Sequence, residues 1–239
     1  MTNIPVIDSA EHPCNYQNEK QACLLYVHPE LPPINNLYTH LITLGFRRSG
    51  EQLYRPHCHR CQDCISLRVP VNSFKPSKSQ KRIINKNMQT TTRLIPAAFN
   101  EQHFKIYVRY QNSRHSDGEM SQLSKDDYLN FLTEPWCNTL FMEIWIKSTL
   151  VGIAVIDQID SSLSAVYTFY DPDFQHFSLG HFAILKMIHY ASLQKITWIY
   201  LGYWIEPCKN MTYKANYRPI EAFTNDKWHL YQKGEPISR

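Results

Sequence analysis

The sequence predicts a mixed α/β (α+β) protein built from two modules, and three observations carry that reading. The first third is punctuated by proline and holds Cys14, Cys23, Cys58, Cys61 and Cys64 of the 7 cysteines. From about residue 97 the apolar pattern becomes regular, switching between helical and strand periods. Glycine is scarce, at 7 of 239 residues, which argues against a Gly-rich nucleotide-cradling architecture such as a Rossmann domain. The division expected is a cysteine-containing module over residues 1–97 and a second domain over residues 98–239.

Along the first module, Asn35 to Leu44 reads as a short helix and Gly45 to Gly50 as a basic turn. Ile65, Leu67, Val69 and Val71 alternate as in a half-buried strand. Phe74 to Asn87 is strongly basic, with Lys75, Lys78, Lys81, Arg82 and Lys86. In the second domain Asn100 caps a helix carrying Phe104, Tyr107 and Val108, and Ser124 with Asp127 forms a capping box before Tyr128, Phe131 and Leu132. Strands are expected at Thr139–Ile146, Leu150–Ile156 and Ala165–Tyr170, the first two joined by a tight turn at Lys147-Ser148-Thr149. A helix capped by Ser178 follows, with Ile184, Met187, Ile188 and Ala191 on one face, and then a strand at Thr197–Leu201.

Helix pair, antiparallel strands, then strand–helix–strand is the order expected of a GNAT-like acyltransferase domain. Ordinary enzymes of that type hold the coenzyme A pyrophosphate on a Gly-rich loop at the start of the central helix. Residues 171–180 contain one glycine, so a standard acetyl-CoA site is not expected. The helix start still offers the N–H groups of Leu179 and Gly180 to a phosphate or a ribose oxygen.

A net charge of +4 permits a polyanionic partner without demanding one. Met1 to Ala10 has neither a basic nor an apolar leader region, and the longest apolar run, Leu150 to Ile156, is too short to span a bilayer. A cytoplasmic protein with no membrane partner is therefore expected. In that compartment seven cysteines are buried thiols, metal ligands or reactive groups rather than a disulfide framework. Cys58, Cys61 and Cys64 stand in C-x2-C-x2-C spacing, which lets three thiolates meet one centre with Cys14 as a fourth ligand and His57 and His59 in reach. Zinc, an iron–sulfur cluster and reduced thiols closing a compact turn all suit that spacing. Cys137 and Cys208 are isolated and read as core residues.

Several unusual blocks carry a resemblance. His12-Pro-Cys-Asn-Tyr16, Gly45-Phe-Arg-Arg-Ser-Gly50, Tyr54-Arg-Pro-His-Cys58, Cys61-Gln-Asp-Cys64 and Phe74 to Arg82 resemble the N-terminal module of the arginyl/leucyl-tRNA–protein transferases. Tyr167 to Pro172, Ser178-Leu-Gly180, Tyr200 to Ile205, Met211 to Lys214 and Tyr217 to Glu221 resemble the GNAT-like module of the same family. Within it the match is to bacterial aspartate/glutamate leucyltransferases. The resemblance implies transfer of leucine from leucyl-tRNA to proteins beginning with Asp or Glu, which creates a degradation signal. Gln17 stands where eukaryotic arginyl-transferases carry a further cysteine.

Such a reaction needs groups that position an amine, take its proton and stabilise an oxyanion. Asp171, before the central helix, is the candidate for orienting or deprotonating the amine, although Asp-Pro is also an ordinary turn signal. Tyr167, Tyr170 and Tyr203 are candidates for hydroxyl contacts, packing being the alternative. Lys209, Lys214 and Arg218 are candidates for an acceptor carboxylate or a tRNA phosphate. Arg47, Arg48 and Arg55, with Lys78, Lys81 and Arg82, form the expected electrostatic footprint for the acceptor stem. Three rivals remain: an arginyl-tRNA–protein transferase, an acetyltransferase of the GNAT type, and a non-catalytic RNA-binding module.

Overall fold

The computed structural model describes residues 4–114 and 124–238. The chain begins with strands β1 (Val6–Asp8), β2 (His12–Pro13), β3 (Gln21–Ala22) and β4 (Leu24–Val27), then helix α1 (Asn35–Thr43). Strands β5 (Arg47–Ser49), β6 (Gln52–Pro56) and β7 (Ile65–Pro70) follow, then α2 (Lys78–Lys86) and β8 (Thr90–Pro96). Next come α3 (Glu101–Arg114), α4 (Lys125–Leu132), β9 (Asn138–Ile146), β10 (Thr149–Ile159) and β11 (Ser162–Tyr170). The last elements are α5 (Leu179–Leu193), β12 (Trp198–Trp204), β13 (Ile220–Thr224) and β14 (Lys227–Tyr231). This is a mixed α/β fold, and from α3 to β12 its elements follow the order of a GNAT-like domain.

Two units form, and one of them is discontinuous. Unit one joins the residues up to Phe74 with those from Tyr200 onward, and unit two runs from Lys75 to Ile199. The compositional boundary near residue 97 is a different partition, because the C-terminal strands belong with the N-terminal segment.

In unit one, β1, β4, β6 and β5 form an antiparallel sheet in that order. The segment read as a basic turn has a sharper structure. Helix α1 ends with Gly45 at φ +83°, whose N–H donates to Ile42 O at 3.2 Å while Phe46 N–H donates to Leu41 O at 3.1 Å. This paired closure satisfies two orphaned helix carbonyls and needs the left-handed backbone that glycine supplies. The chain leaves it directly into β5, so Arg47 and Arg48 are strand residues. A second group of strands runs β14–β13–β7–β12. Its β13–β14 hairpin is turned by Asn225 and Asp226, both with positive φ (51° and 57°), as a two-residue primed turn requires. Arg68 on β7 donates to Glu221 on β13 at 2.5 Å and to the Tyr200 hydroxyl at 3.1 Å, which ties early strands to late ones.

Unit two is an antiparallel meander, β8–β9–β10–β11, covered by helices. Its core gathers Tyr107 from α3, Tyr128 and Leu132 from α4, and Phe141, Ile153, Val155 and Phe169 from the strands. Asn100 caps α3, its Oδ1 accepting the Gln102 N–H at 2.8 Å. The Ser124–Asp127 capping box at α4 is present in both directions. A second box, Ser77 with Gln80, opens α2. Ser178 departs from expectation: it sits at φ 56° and makes no side-chain cap to α5. Its backbone is already set by the short 3₁₀ turn Pro172–Phe177, which it terminates. Among the described residues no helix is long and apolar enough to cross a membrane.

Candidate functional site

Unit one concentrates its chemistry around one glycine. The closure at Gly45 sends Arg47 inward at the start of β5, where it is buried. On β12, Gly202 takes φ +79°, a conformation that side chains rarely adopt. A Cβ at that position would stand 3.5 Å from Arg47 Cζ, 3.5 Å from Arg47 Nη2 and 3.5 Å from Lys214 Nζ. Two cations thus close over the bare face of a single residue. Lys214 comes from the 3₁₀ turn Thr212–Asn216 and donates to the Tyr203 carbonyl at 2.8 Å. Part of the residue reaches the surface, but its ammonium is enclosed. Burial pulls the Lys214 pKa down from 10.5 to about 7, the Arg47 charge pulls the same way, and Cys208 opposes them.

Tyrosines complete the surroundings. The Tyr54 ring lies 6.2 Å from that of Tyr203 and 6.1 Å from that of Tyr26. Burial raises the Tyr54 pKa, with Arg47 opposing. The Tyr203 hydroxyl donates to Gly45 O at 2.8 Å and Tyr54 O at 3.3 Å, and burial holds its pKa well above 10. Its proton therefore ties β12 to the α1–β5 corner and to β6.

The cysteine loop borders this region. A cavity of about 480 Å³, within the usual range for small-ligand pockets, is lined by Gly45, Arg55, Cys58, Cys61, Cys64 and Tyr203 among others. The Cys58 thiol accepts the Cys23 N–H at 3.4 Å, and the Cys61 thiol faces Lys20 Nζ at 3.7 Å. Burial pushes Cys64 up to about 12, helped by Cys58, Cys61 and Cys14, so these four thiols are neighbours. Among the described residues no three His, Cys, Asp or Glu side chains are placed to hold a metal ion. His57 and His59 are engaged elsewhere, at 2.7 Å with Asp8 and 3.0 Å with Glu11. Cys137 is buried as expected, whereas half-buried Cys208 acts on both Tyr16 and Lys214.

In unit two Asp171 is a capping residue with an ion-pair partner. Its Oδ1 accepts the Asp173 N–H at 3.1 Å and its Oδ2 accepts from Arg109 at 2.6 Å. Tyr167 packs in an aromatic cluster, 5.5 Å from Phe131 and 6.4 Å from Tyr107, and Tyr170 lies 5.0 Å from Tyr110. Lys78, Lys81 and Arg82 are all exposed on α2, as a polyanion-facing surface requires.

The remaining cations differ in availability. Arg48 is buried, so neither it nor Arg47 belongs to an exposed rim. Arg55 donates to Leu44 O and lies over the Phe46 ring. Arg218 donates to Ala215 O and Gln232 O, and Lys209 is exposed. Sequence reasoning did not single out Gly202 or Tyr54 as site residues, nor Arg109 as the partner of Asp171. For Gly202 a signal existed, since an isolated glycine in a strand often marks a close approach.

The exposed basic face of α2 is compatible with a nucleic-acid partner, and comparison with known proteins supplies the class and the family. Residues 12–82 match the N-terminal model and residues 102–224 the C-terminal model of arginine-tRNA-protein transferase, so the chain belongs to that family. It is 40% identical over 229 residues to an aspartate/glutamate leucyltransferase of Saccharophagus degradans, covering 95% of this chain and 97% of that one. A relative of the same name from Hahella chejuensis is 43% identical over 218 residues, covering 91% and 93%. Among solved structures, the C-terminal domain of a putative lysylphosphatidylglycerol synthetase from Agrobacterium fabrum aligns with TM-score 0.49 at 12% identity, covering 81% of this chain and 62% of that one. The protein is an aminoacyl-tRNA–protein transferase.

Proposed function

We propose that this enzyme takes leucine from leucyl-tRNA and joins it to proteins whose first residue is Asp or Glu. The observation that carries this reading is the similarity to leucyltransferases named for those two acceptors, at 40% and 43% identity over more than nine-tenths of each chain. The α-amine nitrogen attacks the ester carbonyl carbon of the leucyl group and a C–N bond forms. The tetrahedral intermediate then collapses, the ester C–O bond breaks, and the tRNA terminal ribose oxygen leaves with a proton. An α-amine has a pKa of ~8, so a fair fraction is already neutral and positioning outweighs base strength. Lys78, Lys81 and Arg82 on α2 supply exposed charge for the tRNA backbone.

The same proposal includes zinc or an iron–sulfur cluster on Cys14, Cys58, Cys61 and Cys64. What supports it is the Cys58-x2-Cys61-x2-Cys64 spacing with Cys14 upstream; among the described residues these side chains are not themselves placed to hold an ion, so binding would have to draw the thiols together. Such a group would act on the loop as a structural staple.

The test is transfer of labelled leucine from leucyl-tRNA to peptides that differ only in their first residue, with arginyl-tRNA run beside it. Peptides starting with Asp or Glu are expected to accept leucine, and Asn or Gln peptides to be poorer by about 100-fold or more. Preference for arginyl-tRNA, or for Lys and Arg acceptors, would overturn the reading.

A further inference from the structure

We propose that the cavity beside the cysteine loop of unit one receives the first residue of the acceptor protein, with Arg55 on its side-chain carboxylate and Asp226 facing its amino group. The proposal rests on the leucyl-transfer reading and assigns its acceptor preference to named groups.

The walls come first. The cavity of about 480 Å³ is bounded by Gly45 at the α1–β5 corner, Arg55 on β6, the cysteine loop, Ser66 on β7 and the β13–β14 turn at Asp226. Its size admits the start of an extended chain and not a folded surface. Arg55 and Asp226 bring opposite charges to it without meeting, since among the described residues neither makes an ion pair. Two unlike charges that share a cavity and stay apart suit a ligand bearing both signs. An acidic residue at the start of a chain is such a ligand, with a carboxylate and an ammonium a few bonds apart.

Arg55 is prepared for the carboxylate. It is half-buried, its guanidinium lies 5.3 Å from the centre of the Phe46 ring, and one N–H donates to Leu44 O at 3.3 Å. Those contacts fix the plane of the fork and leave its other donors uncommitted. A fork held in place matches two carboxylate oxygens. An amide offers the same cation no counter-charge, which is the physical basis for rejecting Asn and Gln.

Ser66 is the second observation that points to a ligand. It is 3% exposed, it lines the cavity, and its buried Oγ has no hydrogen-bond partner. Buried hydroxyls are ordinarily satisfied, so one left over in a cavity wall marks where an arriving polar group supplies the bond. Asp226 is exposed, so it draws the ammonium to the mouth more than it holds it, and the amine sheds its proton to water before attack. A tRNA phosphate is the poorer occupant, because it repels Asp226 and carries no positive group. A leucyl side chain would leave Arg55 and Ser66 both unmet.

The experiment compares kcat/KM for an Asp-initiated and an Asn-initiated peptide in the wild-type, Arg55→Gln and Arg55→Lys enzymes, all purified without oxygen. Melting temperature and leucyl-tRNA affinity are measured on the same preparations. The Asp-over-Asn ratio should fall by roughly tenfold or more in Arg55→Gln and recover in part in Arg55→Lys, with leucyl-tRNA affinity unchanged. Folded Arg55→Gln with the wild-type ratio removes this site and leaves the leucyl-transfer reading standing. Weakened leucyl-tRNA binding with an unchanged ratio assigns Arg55 to phosphate, which overturns the proposal. A wild-type enzyme with no acid preference brings down both readings. If Arg55→Gln fails to fold, Asp226→Asn decides, because Asn tolerates the same positive φ in the turn. Binding of the Asp peptide alone is then measured at low salt with its amino group free and acetylated. Acetylation should weaken binding roughly threefold more in the wild type than in Asp226→Asn, and an equal effect in both refutes the site.

Discussion

A lysine ammonium enclosed beside another cation gives up its proton early, and for Lys214 that happens near pH 7 instead of 10.5. The sign of the stability effect follows. Below pH 7 the folded and unfolded chains both carry the proton, and the folded state bears the full cost of the buried charge. Between about 7 and 10.5 the unfolded lysine binds more protons than the folded one, so its contribution to stability improves as pH rises through that window. Lys214→Met should therefore stabilise the protein at pH 6 by ~1–3 kcal/mol, with the advantage fading toward pH 10. Denaturant unfolding of both proteins at the two pH values measures it, and a gain independent of pH would contradict the account. Of this neighbourhood, the sequence reveals the residue types but not their depth. Lys214 and Arg47 stood among several cations in matched motifs, and only the Gly45 closure and the positive φ of Gly202 bring these two together.

At the scale of elements, local signals with a specific mechanism were legible and those overridden by neighbours were not. The Ser124–Asp127 box and the Asn100 cap act through short side-chain contacts, so residue identity nearly suffices. Ser178 carried a similar signal, but the preceding 3₁₀ turn had already fixed its backbone. The β13–β14 hairpin was readable in Asn225-Asp226, a pair that tolerates positive φ, yet short flanking strands hid it. Helix α2 is opened by Ser77 and Gln80, the same chemistry as α4, beneath a conspicuous run of charge. That charge is exposed and belongs to one element, so its contribution to tRNA binding should separate from the rest. Neutralising Lys78, Lys81 and Arg82 together should weaken tRNA binding and flatten its dependence on salt by roughly 2 in the log–log slope. Turnover at saturating leucyl-tRNA should change far less. An unchanged slope would mean that the helix meets no phosphate.

Across the whole molecule the division into units explains why the sequence boundary near residue 97 looked natural and yet differs from the packing. Composition changes where the chain enters regular helices and strands, whereas packing depends on which segments pair. Strand β7 pairs with β13, and the Arg68–Glu221 ion pair reinforces that union, so unit one closes only when distant segments return. Long closures cost conformational entropy, and a staple within the early segment reduces what the later contacts must offset. Cys14 and the Cys58–Cys64 loop sit in that early segment, where the loop is held by the Cys23 N–H on the Cys58 thiol and by the His57–Asp8 and His59–Glu11 contacts. The proposed metal would strengthen the joint, because ligand binding that exists only in the folded state adds directly to stability. Protein purified without oxygen should then contain stoichiometric zinc or iron, and chelation should lower its melting temperature. A Cys58→Ser, Cys61→Ser, Cys64→Ser variant should lose the metal and melt lower than wild type, with chelator causing no further drop. Metal-free wild-type protein whose melting matches that of the metal-loaded form would leave these thiols as ordinary reduced side chains closing a turn.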